Sequence, residues 1–109
     1  MNDNIYTVKE ISELVAPIAQ RYGIPAVYLF GSYARGDATT KSDIDLIVDT
    51  EGTGLNSLFS LGALYGDFEE ALMKSIDLIT ERSLTQHTVR QSDLLFRENI
   101  RKERVMLYG

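Results

Sequence analysis

Two aspartates that lie two positions apart are the clearest candidates for chemistry in this chain of 109 residues. Asp43 and Asp45 belong to the segment Asp43–Val48, whose branched apolar residues predict a β-strand. Side chains on a strand alternate between its faces, so both carboxylates project the same way and repel each other. Mg²⁺ offsets such repulsion, because it takes oxygen ligands and commonly binds one or two carboxylates together with substrate phosphates. For an isolated Asp-x-Asp pair, a solvated strand edge is the favoured alternative.

The loop that follows the preceding apolar run is suited to a phosphate. Gly31 and Ser32 come directly after Ala26–Phe30, which predicts a buried strand. A glycine there lets the backbone approach a phosphate, and the serine hydroxyl can donate to its oxygens. Arg35 lies in the same loop. Taken singly, Gly31 and Ser32 are also consistent with an ordinary turn, and Arg35 with a surface ion pair.

A third carboxylate lies in a third predicted strand. Asp77 is in the middle of the segment 75–80, between isoleucine and leucine. If this strand pairs beside the Asp45 strand, Asp77 joins the same edge of the sheet. Alone, Asp77 is consistent with a polar residue at a strand end. The coincidence of the loop and three aspartates favours a site for a metal ion and a phosphate.

Helices and short apolar strands alternate along the chain. The capping box Thr7–Glu10 begins a helix with apolar residues at steps of three and four, and Gly23 ends it. The order that follows is strand, loop, strand, helix, strand and helix, with the last helix beginning at Ser83 and running towards Tyr108. This order predicts the α/β class: a small mixed sheet of about three strands flanked by helices, in a single domain over residues 1–109.

The composition excludes several classes of protein. Without cysteine and with one histidine, the chain has no disulfide, no thiolate-bound metal and no histidine-rich metal site. A net charge of -5 is a poor match for bare nucleic acid, so no direct nucleic-acid binding is expected. No apolar run approaches the roughly 20 residues of a membrane span, and the polar first residues do not resemble a signal peptide. We therefore expect a cytoplasmic protein that does not bind membranes.

The spacing of these residues resembles a known signature. Gly31 and Ser32, followed after ten residues by Asp43-x-Asp45, are similar to the signature of the DNA polymerase β-like nucleotidyltransferase superfamily. The chain resembles the minimal nucleotidyltransferase (MNT) branch of that superfamily in the fuller strings GSYARG (31–36) and SDIDL (42–46). The length and the order of elements extend the resemblance over essentially the whole chain.

The resemblance implies an activity and a role for each residue. Such an enzyme uses two Mg²⁺ ions and a nucleoside triphosphate, usually ATP, transfers the nucleoside monophosphate to a hydroxyl and releases pyrophosphate. It implies catalytic and metal-binding roles for Asp43, Asp45 and Asp77, and contacts with the nucleotide for Gly31, Ser32 and, more weakly, Arg35. Two metal ions about 3.5–4 Å apart can stabilise both the attacking and the leaving oxygen.

The resemblance also implies a partner. Stand-alone MNT proteins of this size resemble the antitoxins of HEPN–MNT toxin–antitoxin modules, which transfer AMP to a tyrosine of a small helical ribonuclease toxin. Two alternatives stay open: an antitoxin that neutralises its toxin mainly by binding, and a transferase that acts on a hydroxyl of a small molecule. The nucleotide base and the oligomeric state stay open as well, and an oligomer is one of the alternatives.

Two glycines in the second predicted helix allow another helix to approach closely. Gly62 and Gly66 lie four residues apart, in a stretch that Ser57, Ser60 and Asp67 make too polar for a membrane. We expect them to serve packing inside the protein rather than an interface with a partner.

Overall fold

The computed structural model describes residues 5–55, 57–85, 98, 100 and 102–109. The helices and strands, in chain order, are α1 (Val8–Tyr22), β1 (Ala26–Phe30), α2 (Gly31–Arg35), β2 (Ile44–Asp49), α3 (Leu58–Leu72), β3 (Ile76–Thr80), α4 (Glu81–Thr85) and β4 (Val105–Tyr108). Within these ranges, none of the helices has the length and apolar character that crossing a membrane requires.

The strands form one mixed sheet in the order β3-β2-β1-β4. Strand β1 is antiparallel to both β2 and β4, whereas β2 and β3 are parallel. Parallel neighbours need a crossover connection, and α3 provides it. The predicted mixed α/β sheet flanked by helices is confirmed.

The end of the chain differs from the prediction. Residues 105–108 form β4 beside β1 rather than the end of a helix, with Met106 opposite Tyr28. The segment VMLY has the branched and aromatic residues that favour a strand, and its pairing covers an edge of β1 that would otherwise be open. The last predicted helix also begins earlier than expected, at Glu81, because Thr80 Oγ1 accepts a hydrogen bond of 3.1 Å from the Ser83 backbone. The predicted helical stretch over 86–97 lies outside the described residues.

One face of the sheet packs against α1 and α3. Helix α1 begins at the predicted capping box, in which Thr7 Oγ1 and the Glu10 carboxylate accept hydrogen bonds of 3.1 and 2.8 Å from each other's backbone N–H groups. The two helices and the strands bury a shared apolar core that includes Ile11, Val15, Ile18, Leu29, Ile44, Leu46, Leu64, Phe68 and Leu72. Because the two helices cover this face, the functional polar residues must be on the other one.

The opposite face of the sheet is partly covered by a smaller cluster. Phe30, Ile47 and Ile100 are buried together there. Beside them, Arg104 lies 4.1 Å from the centre of the Tyr28 ring and makes an ion pair of 2.6 Å with Glu81. Since Arg104 precedes β4 and Glu81 follows β3, this ion pair joins the two edges of the sheet.

Helix α3 has glycines on its exposed side. A Cβ atom built on Gly62 or Gly66 would meet no atom within 4 Å. The expectation that these glycines serve internal packing is therefore wrong for the residues that the structure describes. Their backbone faces open space.

Replacing Gly66 with alanine should stabilise the protein. Glycine loses more backbone entropy than alanine when a helix forms, so Gly66→Ala should raise the free energy of unfolding by about 0.5–1 kcal/mol in urea denaturation. Gly23→Ala is the control: its site is equally open, but its φ of +69° penalises alanine, so this change should destabilise. A loss of stability in Gly66→Ala would contradict the open environment of Gly66.

Candidate active site

The register of β2 and β3 brings the predicted aspartates together. Asp45 lies opposite Asp77 in the parallel ladder. Asp43 comes just before β2 and lies on the same face as Asp45. The start of β2 is held beside β3 by the Ile44 backbone N–H, which donates a 3.1 Å hydrogen bond to the Ser75 carbonyl. The third strand lies beside the second, which is the condition under which the sequence analysis placed Asp77 at the same edge of the sheet. Three carboxylates thus gather where β2 and β3 begin, on the face that α1 and α3 leave open.

The carboxylates are unequally exposed and interact electrostatically. Asp43 and Asp77 are exposed, whereas Asp45 is half-buried. Burial, followed by the negative charges of Asp77 and Asp43, raises the pKa of Asp45 to about 6, and Arg35 opposes this shift. The ionised form of Asp45 is therefore costly in this structure unless a positive charge comes close.

Arg35 supplies part of that positive charge from the end of α2. It is exposed, and its guanidinium makes ion pairs of 3.4 Å with Asp37 and 3.5 Å with Glu103. These pairs match the surface ion pair that was the alternative interpretation for Arg35. The contact of Arg35 with a phosphate stays a prediction.

Gly31 and Asp45 are in direct contact. The φ angle of Gly31 is +74°, and a Cβ atom built on it would lie 2.2 Å from Asp45 Oδ2. Two features therefore require glycine at this position: the positive backbone angle and the lack of room for a side chain. Ser32, the next residue, is half-buried in the first turn of α2. The segment predicted as a phosphate-binding loop thus begins with the short helix α2, and its first residue lies directly against the Asp45 side chain.

The donor set suits a cation that is shared with a substrate. No group of three or more histidine, cysteine, aspartate or glutamate side chains in the described part of the chain is arranged to enclose a metal by itself. Mg²⁺ does not require such a cage, because it commonly takes one or two carboxylates and completes its shell with phosphates and water. The unbalanced charge around Asp45 fits that mode of binding.

Tyr65 is a neighbour of the site that the sequence analysis missed. Its hydroxyl donates a 3.1 Å hydrogen bond to the carbonyl of Ile76, the residue before Asp77. Local desolvation, then Glu69, and more weakly Asp77 and Asp43, raise the pKa of this hydroxyl. No sequence signal marks Tyr65, because its position depends on how α3 packs beside β3.

A cavity elsewhere in the fold is separate from these residues. It has a volume of about 500 Å³ and is lined by residues that include Asp49, Leu55 and Arg82. These residues lie where β2 and β3 end, whereas the three aspartates lie where the strands begin. The candidate active site is therefore not in this cavity.

Solved structures share the fold. A toxin–antitoxin complex with AMP-PNP contains a chain that matches with a TM-score of 0.68 at 21% identity, over 90% of this chain and 73% of that one. A complex of a tri-AMPylated Shewanella oneidensis HEPN toxin with an MNT antitoxin contains a chain that matches with a TM-score of 0.64 at 18% identity, over 94% of this chain and 73% of that one. A candidate minimal nucleotidyltransferase matches with a TM-score of 0.64 at 27% identity, over 92% of this chain and 95% of that one. The class of protein that this fold defines is the nucleotidyltransferase.

Sequence comparisons define the family. The model of the "Polymerase beta, Nucleotidyltransferase" family matches residues 13–109. The protein adenylyltransferase MntA of Thermococcus cleftensis is 33% identical over 82 residues, which cover 72% of this chain and 81% of MntA. A candidate protein adenylyltransferase of Methanocaldococcus jannaschii is 33% identical over 97 residues, which cover 83% of this chain and 97% of that protein. This chain belongs to the polymerase beta nucleotidyltransferase family and is a nucleotidyltransferase.

Removing the charge of Asp45 should stabilise the protein in a pH-dependent way. The folded pKa of about 6 exceeds the ordinary value of 3.8, so the cost of ionised Asp45 is full above pH 6 and absent below 3.8. With allowance for solvent screening, Asp45→Asn should raise the free energy of unfolding by about 1 kcal/mol at pH 7.5. The gain should shrink towards pH 4.

Urea denaturation in the presence of a chelator, at both pH values, measures this effect. Asp49→Asn, at the other end of β2, controls for the loss of one negative charge. An Asp45→Asn gain that is equal at the two pH values would contradict the predicted cost of ionisation.

A side chain at position 31 should disrupt the site. Gly31→Ala places a Cβ where Asp45 Oδ2 lies and forces alanine into a φ of +74°, so the free energy of unfolding should fall by about 2 kcal/mol or more. Gly36→Ala, at φ +87° with open space, carries the backbone penalty alone. The additional loss in Gly31→Ala should vanish in an Asp45→Ala background, and an unchanged loss there would show that the two residues do not collide.

Proposed function

We propose that this chain is a Mg²⁺-dependent protein adenylyltransferase that moves AMP from ATP to a tyrosine hydroxyl of a HEPN ribonuclease toxin, and thereby acts as its antitoxin. The observation that carries the proposal is the contact of Asp45 with Gly31, opposite Asp77 and close to Asp43. This contact joins the segment proposed to bind phosphate to an unbalanced group of carboxylates. The protein adenylyltransferase names of relatives and the HEPN–MNT complexes among the similar folds support it.

Each of these residues has a proposed task. Asp43, Asp45 and Asp77 would hold two Mg²⁺ ions, which supply the positive charge that stabilises the attacking and leaving oxygens. The backbone N–H groups at Gly31 and the Ser32 hydroxyl would donate to the triphosphate. Arg35 would reach a phosphate after releasing Asp37 or Glu103, and these salt bridges are weak enough for that exchange because they are exposed.

The reaction is an in-line displacement at the α-phosphorus. The acceptor oxygen forms a bond to that phosphorus, the bond from the phosphorus to the bridging oxygen breaks, and pyrophosphate leaves. The hydroxyl proton passes to water. Asp77 is the carboxylate best suited to face the acceptor, because it is exposed on the edge strand β3, whereas Asp45 lies against the loop.

The exposure of two of the carboxylates also favours a protein as the acceptor. Asp43 and Asp77 are exposed, and the cavity of about 500 Å³ lies at the opposite ends of their strands. A small acceptor gains most of its affinity in an enclosed pocket, whereas a folded partner contributes its own surface. Transfer to a small molecule is therefore the weaker alternative.

Replacing Asp77 tests the proposed chemistry. Loss of a direct metal ligand should cut AMP transfer by more than the roughly 10–100-fold that is typical of residues acting through another ligand. ATP affinity should largely persist, and the melting temperature should hold or rise because a repelling charge is gone. The assay follows labelled AMP from ATP into a purified HEPN toxin from the same source, with Mg²⁺ or with a chelator, and Asp49→Asn is the control.

Three outcomes would revise the proposal. Near wild-type transfer by Asp77→Asn would remove Asp77 from the catalytic set. Transfer that persists with the chelator would exclude the role of Mg²⁺. Toxin neutralisation that survives a complete loss of transfer would favour an antitoxin that acts by binding.

A further inference from the structure

Strand β3, which carries Asp77, lies at an edge of the sheet. Among the residues that the structure describes, no strand pairs with its outer side. On its inner side β3 pairs with β2, where Asp77 lies opposite Asp45 and the two negative charges repel each other. The strand has only five residues, so few ladder hydrogen bonds resist this repulsion. A contact on the outer side of β3 would therefore help to keep Asp77 in place.

The backbone of β3 turns one carbonyl towards β2 and the next one away from it. The Ser75 carbonyl accepts the hydrogen bond from the Ile44 N–H, so it points towards β2. Because successive peptide groups of a strand point to opposite sides, the Ile76 carbonyl points to the free edge. This carbonyl and the Asp77 N–H belong to one planar peptide group. A contact at the Ile76 carbonyl therefore fixes the orientation of the backbone from which the Asp77 side chain extends.

The Tyr65 hydroxyl makes this contact. It donates its 3.1 Å hydrogen bond to the Ile76 carbonyl, so α3 supplies at the free edge the donor that a neighbouring strand would supply elsewhere. Desolvation and the charge of Glu69 raise the pKa of the hydroxyl, which therefore stays protonated and able to donate at neutral pH. Helix α3 is a firm support for the tyrosine ring, because Leu64 and Phe68 are fully buried in the core.

We propose that Tyr65 is a positioning residue for Asp77. Its hydroxyl holds the start of β3 from the outside, while β2 holds it from the inside. Asp77 thereby keeps its place opposite Asp45 in spite of the repulsion, and its carboxylate stays oriented for the acceptor hydroxyl. The task of Asp77 rests on the proposed function. Tyr65 itself acts through the backbone of β3, without touching the nucleotide.

Tyr65→Phe tests this role, because it removes the hydroxyl and keeps the ring. The assay follows AMP transfer with Mg²⁺, ATP and purified HEPN toxin from the same source. The kcat should fall about tenfold, at the low end of the roughly 10–100-fold that is typical of residues that orient a metal ligand. KM for ATP should be unchanged, because Gly31, Ser32 and Asp45 are distant in sequence from the edge that Tyr65 holds and bind the triphosphate in the proposed function.

Tyr6→Phe is the matched control. The Tyr6 hydroxyl also donates to a backbone carbonyl, that of Leu72 at the end of α3, over 2.8 Å. Its loss should lower the melting temperature about as much as the loss of the Tyr65 hydroxyl and leave kcat unchanged. Wild-type kcat in Tyr65→Phe would overturn the proposal. An equal fall of kcat in the two variants would also overturn it, since the hydroxyl would then serve stability alone.

Hydrogen exchange of the backbone amides provides a readout that does not depend on catalysis. In Tyr65→Phe the Asp77 amide should exchange about fivefold faster, the factor expected for the loss of one ordinary hydrogen bond. In Tyr6→Phe its exchange rate should match the wild type. Equal rates at Asp77 in the wild type and in Tyr65→Phe would overturn the proposal.

The two readouts separate this proposal from the proposed function. A wild-type chain that transfers no AMP to the toxin would contradict the proposed function. Faster exchange at Asp77 in Tyr65→Phe, with the control unaffected, would still show that Tyr65 holds the strand on which Asp77 lies.

Discussion

The rest of the structure depends on the parallel pairing of β2 with β3, which sets one negative charge opposite another. Asp45 and Asp77 repel each other across this ladder, so its backbone hydrogen bonds and the packing of the other residues must offset that repulsion. Ile44, Leu46 and Val48 are fully buried on the face that α1 and α3 cover. The apolar core thus supports an arrangement that electrostatics alone would disfavour, and it leaves the charge free to attract a cation.

The two faces of the sheet have different roles. The face against α1 and α3 supplies the stability, while the opposite face carries a small apolar cluster beside the carboxylates, with Phe30 of that cluster opposite Asp45. The ion pair of Arg104 with Glu81 joins the two sheet edges over Tyr28, which limits how far β3 can move away from β1. Three residues that are distant in sequence, Tyr28, Glu81 and Arg104, therefore help to hold Asp77 in register with Asp45.

Local patterns were sufficient to predict the elements that carry the site. Apolar runs predicted β1, β2 and β3, and the capping box at Thr7 predicted the start of α1. Strand β4 was missed because four residues carry little periodicity, and because its reason to form is an edge of β1 that is distant in sequence. The open side of Gly62 and Gly66 and the hydrogen bond of Tyr65 also depend on tertiary packing, so no sequence pattern indicates them. The shared face of Asp43 and Asp45 was predicted from strand alternation, whereas the position of Asp77 depended on a strand pairing that the sequence left open; the tasks of the individual residues remain proposals.

The contact between Gly31 and Asp45 has a consequence for how this protein can change over evolution. The carboxylate lies where a methyl group on residue 31 would have to be, so the backbone of the loop limits the length of the side chain at position 45. Glutamate carries the same charge but one more methylene, and it would have to move its carboxylate away from its present position. Chemical similarity is therefore a poor guide to which substitutions position 45 tolerates. Positions 31 and 45 are linked by volume, and neither can gain an atom unless the other gives way.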